Sequence, residues 1–356
     1  MNWGILLSTA KPEHRTERDI IESTIQHTKS AERWGFDSAW VLEHHFTPYA
    51  ISPDTLSLAG FLLGATSRLR VGTAVLVAPF LHPVQIAEST AMLDQLSNGR
   101  FYLGLGRGIC PEDFEVFGVD ATKSHQLTRE STDLIIKAWT QEKVRGEGLY
   151  TFPEVSVVPK PRTTPHPPIY TAAESGSSVE WAARNGFPLL MQLGQDDQEL
   201  AARVELYNEF AEEAGHDPDS IDHVVMCIGH IGESREAAKA EVFGMLEWWG
   251  DESSRIGFDV DQLKRLPNYR YHLNRVEQWV LQGKDTATVI NEWLDNSPVG
   301  TPEQCVERLE GIIANIGVRH VVLGLEAVGN REATERNIER FAVEVFPKVG
   351  NEASSG

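Results

Sequence analysis

Short apolar runs alternate with longer amphipathic stretches along almost the whole chain. The runs near 3–8 (WGILLS), 37–42 (DSAWVL), 69–77 (LRVGTAVLV), 100–106 (RFYLGLG), 168–173 (PIYTAA), 188–192 (PLLMQ), 224–231 (VVMCIGHI) and 319–325 (RHVVLGL) read as strands. Helical periodicity fills the intervals near 17–34, 54–66, 83–97, 124–142, 177–185, 197–214, 234–249, 302–316 and 331–346. Most strand runs are apolar throughout rather than alternating, the mark of parallel strands buried on both faces. Eight strands in steady β–α alternation predict a closed (β/α)8 TIM barrel, with an open doubly wound sheet as the alternative. Two segments read as insertions into one domain spanning 1–350. One is GEGLYTFPEVSVVPKPRTTPHPP (146–168); the other, 250–300, is a polar stretch with weak helical patches, expected to form a long lid loop before the last strand. Residues 351–356 read as a disordered tail.

In such a barrel the chemistry sits at the C-terminal ends of the strands. SAWVLEHHFTPY (38–49) therefore brings Glu43, His44 and His45 to the catalytic face. The two histidines could bind a metal with His82, pack as satisfied core side chains, or move a proton. No H-E-x-x-H spacing and no second carboxylate–histidine cluster supports a metal. An imidazole able to transfer a proton near neutral pH is the reading retained. GLGRGI (104–109) has the spacing G-x-G-x-G, not the G-x-G-x-x-G of a dinucleotide fold. Its glycines suit close approach of backbone to a flat ligand, with Arg107 aimed at an anion; a tight turn with a solvated arginine is the bland alternative. TAAESGSSVEWAA (171–183) ends a strand and opens a helix, offering Ser175, Ser177, Ser178 and unpaired backbone N–H groups. Alone, these serines could merely cap the helix. Together with Arg107 they point to a monoester phosphate.

Composition narrows the partners. The 356 residues carry 52 acidic and 32 basic side chains, a net charge of −20. Such a surface repels phosphate backbones and anionic lipid, so nucleic-acid and membrane partners are not expected. Cys110, Cys227 and Cys305 lie far apart and suggest no disulfide framework. No window reaches the roughly 18 apolar residues of a membrane span. The N-terminal MNWGILLSTAKPEHR lacks a basic leader, so a cytoplasmic protein is expected.

One long pattern is more specific. The run LEHHFTP…LLGATSRLRVGTAVLVAPFLHPVQIAESTAMLDQLSNGRFYLGLGRG…EDFEVFGVD resembles the luciferase-like flavin monooxygenase family, the alpha subunit of bacterial luciferase in particular. The likeness resumes at PIYTAAESGSSVEWAARNGFPLL, LYNEFAEEAGHD…IDH and SPVGTPEQCVERL…IGVRHVVLGLEAVG, and so covers nearly the whole chain. The resemblance implies a (β/α)8 barrel that binds reduced flavin mononucleotide (FMNH2) and reacts it with O2 through a flavin C4a-hydroperoxide, with no metal. It implies that His44 is the essential histidine, with His45 beside it and Asp113 an acid near the flavin. It further implies that Arg107 binds the phosphate, with Glu174, Ser175 and Ser178 continuing that site. Ala74–Val75 corresponds to a non-proline cis peptide under the isoalloxazine, and 251–295 to a mobile lid.

Two departures from the pattern matter. Gly106 stands where luciferase has a reactive cysteine, and Gln192 and Gly194 replace bulky aromatics after the sixth strand. Both are expected to enlarge or reshape the pocket. The expected substrate is therefore a fairly large apolar molecule of polycyclic or polyketide type, oxygenated by hydroxylation, epoxidation or Baeyer–Villiger insertion. A long-chain aldehyde monooxygenase, an F420-dependent oxidoreductase and a non-catalytic flavin-binding subunit are the alternatives. The glycine-rich loop being assigned to flavin, no nicotinamide site remains, and a separate NAD(P)H:flavin reductase is expected. Small residues on helix two (Ala59, Gly60, Gly64, Ala65) and helix three (Ala87, Ser89, Ala91) suggest a homodimer, because those helices build the luciferase subunit interface.

Overall fold

Eight parallel strands close into a barrel in the computed structural model, which describes residues 1–192, 194–257, 260–266 and 268–350. They are β1 (Asn2–Leu7), β2 (Ser38–Val41), β3 (Arg70–Thr73), β4 (Phe101–Gly106), β5 (Ile169–Thr171), β6 (Leu190–Met191), β7 (Val224–Ile228) and β8 (His320–Gly324). Each pairs with the next; β5 meets β6 through the Thr171–Leu189 bridge, and β8 returns to β1. Every expected strand run thus holds a barrel strand. The third run is interrupted by a cis Ala74–Val75 peptide, after which Leu76–Val77 pairs with Leu105–Gly106.

Successive strand residues point alternately into the lumen and outward to the helices. Leu6, Trp40, Tyr170, Leu190, Val224, Met226 and Val322 fill the lumen. Trp40 is fully buried and packs edge-on against Tyr170, with ring centroids 5.1 Å apart. The packing around its indole explains two glycines. A Cβ on Gly72 would lie 2.5 Å from the Trp40 ring, and one on Gly4 would lie 2.6 Å from Ser38 Oγ and 2.7 Å from Val322 Cγ2. Trp40 Nε1 donates to Ser38 Oγ at 3.0 Å, so the buried N–H is satisfied.

The outer ring contains α1 (Glu17–Arg33), α2 (Thr55–Ala65), α3 (Pro83–Ser97), α5 (Ser124–Thr140), α6 (Gly176–Arg184), α7 (Asp197–Glu213), α8 (Arg235–Ile256), α12 (Pro302–Ile316) and α13 (Arg331–Arg340). Local sequence sets their ends. In α12, Thr301 and Gln304 form a reciprocal capping box around Pro302, and Gly317 stops the helix at φ +77°. The first insertion is an antiparallel hairpin, Val144–Glu147 with Thr151–Val155.

The second insertion, 250–300, is more regularly helical than its weak patches suggested. Helix α8 runs to Ile256, and α9 (Val260–Lys264), α10 (Arg270–Leu281) and α11 (Thr286–Asp295) follow. These helices lie over the barrel mouth and bury their apolar side chains in two small clusters apart from the main core, one around Val242, Leu246, Ile290 and Leu294 and one around Phe114, Leu263 and Tyr269. A short α4 (Pro111–Phe117), unread from sequence, has too few turns to reveal a period. The expected tail, 351–356, lies outside the described residues.

Beside the cis step, β3 and β4 come unusually close. Thr73 Oγ1 donates to Gly104 O at 2.7 Å and accepts from Gly104 N at 2.9 Å. A Cβ on Gly104 would sit 1.9 Å from Thr73 O and 2.8 Å from Leu190 Cδ1. Gly104→Ala must therefore push these core strands away from each other, at a cost near the upper end of overpacking, about 3 kcal/mol. Urea denaturation followed by far-UV circular dichroism measures this; an unchanged midpoint contradicts it.

Candidate active site

The strand ends and the helical lid enclose a cavity of about 640 Å³. Its floor is the top of the lumen core: Leu6, Leu42, Ala74, Val75, Leu190 and Met226 belong to both. Of the residues singled out from sequence, His44, Ala74, Val75, Gly106, Arg107, Asp113, Glu174, Ser175 and Ser178 all line it.

His45 does not line it. It turns away, with Nε2 3.3 Å from Glu43 Oε1 and its ring 4.8 Å from that of Phe117. Glu43 is a buried clamp whose Oε2 accepts from Thr55 Oγ1 and Val77 N, both at 3.2 Å, tying the β2 loop to the β3 extension. That clamp fixes the loop from which His44 reaches the cavity. His44 packs edge-on against Tyr49, centroids 4.7 Å apart, and its Nδ1 lies 3.8 Å from Cys110 Sγ. Burial, reinforced by the neighbouring His45, pushes the His44 imidazole down to about 4. The ring is therefore neutral at neutral pH and does not titrate near 6.5 as its type alone suggests. Asp113 moves the other way: burial raises its carboxyl to about 6, against the pull of His45.

At the opposite end the first turn of α6 faces the cavity. Ser175 occupies the N-cap position, but its side chain makes no cap bond; its Oγ instead lies 2.9 Å from Ser178 Oγ. The serines thus leave the helix N-terminus open to an anion. Arg107, expected to point freely at that anion, is engaged by the lid. Its guanidinium lies 3.6 Å from the Tyr269 ring centroid, and Nη1 donates to Asn268 O at 3.2 Å. Glu174 is buried: Oε2 is 3.4 Å from His272 Nδ1, while Oε1 has no hydrogen-bond partner. His125 stands beside these groups, its ring lowered to about 4 by burial and by the charges of Arg107, Arg129 and His272, and so neutral at neutral pH.

The lid closes the remaining sides. Trp249 of α8 stacks on Tyr49, centroids 4.8 Å apart and rings 5° from parallel, and its Nε1 donates to Tyr49 O at 3.2 Å. Tyr269 Oη donates to Gly108 O at 2.6 Å. Neither glycine departure leaves open space. A Cβ on Gly106 would lie 2.3 Å from Val75 Cγ2, and one on Gly194 2.3 Å from Trp293 Cδ1, so a valine and a lid tryptophan fill those places. Sequence reasoning missed Cys110, His125, His272, Tyr49 and the lid tryptophans. Cys110 lies three positions beyond Arg107 and Tyr49 five beyond His44, each in the same loop, and both could have been found; the others are joined to the site only by tertiary packing. Among the described residues no cluster of three or more histidine, cysteine or acidic side chains could hold a metal, and no helix is long and apolar enough to cross a membrane.

Comparison with known proteins gives this site its family. A family model described as luciferase-like monooxygenase matches residues 1–320. An alkanal monooxygenase alpha chain from the Kryptophanaron alfredi symbiont is 34% identical over 349 residues, covering 98% of each chain. Two solved structures share the fold. The monooxygenase RslO1 of Streptomyces bottropensis aligns with a TM-score of 0.79 at 24% identity, over 98% of this chain and 99% of that one. The oxygenating constituent of 3,6-diketocamphane monooxygenase from Pseudomonas putida, solved with FMN, gives 0.77 at 19% identity, over 98% and 99%. With the barrel, the cis step and the strand-end residues in place, these matches make the chain a member of the luciferase-like monooxygenase family.

Proposed function

We propose that the protein is the oxygenating component of a two-component system, using reduced FMN (FMNH2) and O2 to insert one oxygen atom into a fairly large apolar substrate. The observation that carries this reading is one cavity holding an anion end (Arg107, Ser175, Ser178), a flat platform (Ala74–Val75 beside Gly106) and a neutral imidazole (His44). That arrangement suits a planar heterocycle on a polar chain ending in phosphate. The FMN bound to the diketocamphane enzyme on the same fold supports this cofactor.

Bound reduced flavin would supply activation of O2 and delivery of one oxygen atom. The chain's own residues do the rest. Arg107, the two serine hydroxyls and the α6 N–H groups hold the phosphate, and the unpaired Glu174 Oε1 accepts from a hydroxyl of the ribityl chain. The packed lid excludes water from the reacting end. His44, neutral at neutral pH, takes a proton there as a base rather than serving as a resident acid. The aromatic walls of Tyr49, Trp249, Trp279 and Trp293 favour a broad polycyclic or polyketide-type substrate, whereas the relatives' alkanal activity supports the aldehyde as the second reading.

The homodimer belongs to the same proposal, on a corrected surface. Ala59, Ala87 and Ala91 are fully buried against the chain's own barrel, and Gly60 packs towards Leu93. The apolar side chains left exposed on α2 and α3 are Phe61, Met92 and Leu96. These, with Gly64 and Ser89, which stay exposed beside them, are the surface a second copy would cover.

Three outcomes are expected of the site, and one of the surface. Arg107→Ala should weaken FMN binding by removing a charge-assisted contact worth about 1.5–3 kcal/mol, roughly 10- to 150-fold. His44→Ala should retain flavin affinity but lose product and release more hydrogen peroxide; fluorescence titration and product analysis separate the two, and the reverse pattern would exchange the assigned roles. Mixed anaerobically with FMN and excess NADH or NADPH, the protein should leave the oxidised-flavin absorbance unchanged until a flavin reductase is added. Rapid bleaching without reductase overturns the two-component reading, and oxygenated product from candidate substrates in the reconstituted mixture supports it. Light scattering at micromolar concentration should give a dimer mass that falls to the monomer's in Phe61→Glu/Leu96→Glu; a monomeric wild type ends the homodimer proposal.

A further inference from the structure

Cys110 has no place in the chemistry above, yet it is the only hydrogen-bond partner found for His44 among the described residues. Its Sγ lies 3.8 Å from His44 Nδ1, within reach of a sulfur hydrogen bond. The thiol is buried at the cavity wall and occupies the N-cap position of α4 without making a cap bond. On its other side stands Asp113, three residues along in the first turn of α4 and on the same cavity wall, and each group shifts the other's titration. Burial and the adjoining acids push the thiol up, so sulfur keeps its proton and can donate one hydrogen bond while accepting another. A chain of three groups, carboxyl to thiol to imidazole, thus runs under the catalytic face. The imidazole end is held by the edge of Tyr49, and among the described residues Nε2 has no protein partner.

We propose that Asp113, Cys110 and His44 form a relay in which the charge state of the carboxyl decides which imidazole nitrogen carries the proton. When Asp113 is a carboxylate, it accepts S–H, sulfur accepts Nδ1–H, and Nε2 presents a bare lone pair to the cavity. When Asp113 is protonated, its O–H points to sulfur, S–H points to Nδ1, and Nε2 carries hydrogen. The same chain can pass on a proton taken at Nε2. The Nδ1 proton moves to sulfur as the sulfur proton moves to the carboxylate, so each bond formed is matched by one broken and no charge stays on the ring or thiol. Other groups face the relay: Glu112 on α4, Glu43 and His45 on the β2 loop, Tyr49 beyond them, and Tyr269 from the lid segment. Among these, Glu112 and Glu43 raise the Asp113 carboxyl and His45 lowers it. Cys110 is on this account a positioning residue. The inference deepens the base role given to His44 and rests on that reading.

The test reads the tautomer directly, on flavin-free full-length protein labelled with 15N-histidine. Long-range proton–nitrogen correlation spectra from pH 5 to 8, with His44 assigned by its loss in His44→Gln, report which nitrogen is protonated. The wild type should pass from the Nε2–H to the Nδ1–H form as pH rises through the Asp113 titration, about pH 6. Cys110→Ser should keep that transition, while Asp113→Asn and Cys110→Ala should abolish it, with folding of each checked by circular dichroism. A pH-independent His44 tautomer in the wild type, an unaltered transition in Cys110→Ala, or its loss in folded Cys110→Ser each overturns the relay. Because no turnover is measured, a wild-type transition in a protein that oxygenates nothing would uphold the relay and count against the functional reading instead.

Discussion

A closed parallel barrel must fill its own lumen, and here the largest side chain at its centre is an indole. Trp40 occupies the lumen with no exposure to solvent, and the strands around it are spaced to admit an indole. Gly4 and Gly72 are empty where its ring and its neighbours lie, and Ser38, linked to His320 Nε2 at 2.9 Å, satisfies the N–H that burial would otherwise leave unpaired. Above this plug the lumen side chains become the floor of the cavity. The position of Val75, and with it the platform beside Gly106, therefore depends on how the core beneath is packed.

From that floor the site is built by opposed surroundings. Burial drives the His44 ring towards neutrality and Asp113 towards its protonated form, so two groups that would both be charged near pH 5 in water are both nearer neutral here. At the far end, the Arg107 guanidinium shares the cavity with the open start of α6, within a chain whose net charge is −20. Attraction for an anion is thus confined to a buried cup while the surface remains acidic, a separation that net charge alone conceals.

The lid links both ends. Tyr269 and His272 meet Arg107 and Glu174 at the anion cup, while Trp249 stacks on Tyr49 behind His44. A ligand phosphate arriving at Arg107 would compete with, or join, contacts that already hold the lid down. Cover over the reacting end and charge at the binding end therefore belong to one packed layer.

The sequence by itself determined what is periodic or local. Eight buried strand runs, the helices between them, and the arrival of His44 and Arg107 at strand ends all follow from residue spacing and short-range hydrogen bonding. Features with a repeating pattern, or lying within a few residues of a strand end, were legible in this way. The short α4 was not, because seven residues are too few to show a period, and the lid showed only weak helical patches because its helices pack in small clusters of their own. Tertiary structure alone decided what fills the places left by the absent side chains: Val75 against Gly106 and Trp293 against Gly194, where sequence suggested a larger pocket. It also decided that His45 faces away, that Arg107 rests on a tyrosine from the lid, and that a thiol stands beside His44. The contact from Arg107 to Asn268 spans 161 positions and that from Cys110 to His44 spans 66. No periodicity reaches across such gaps; they close only when the barrel does.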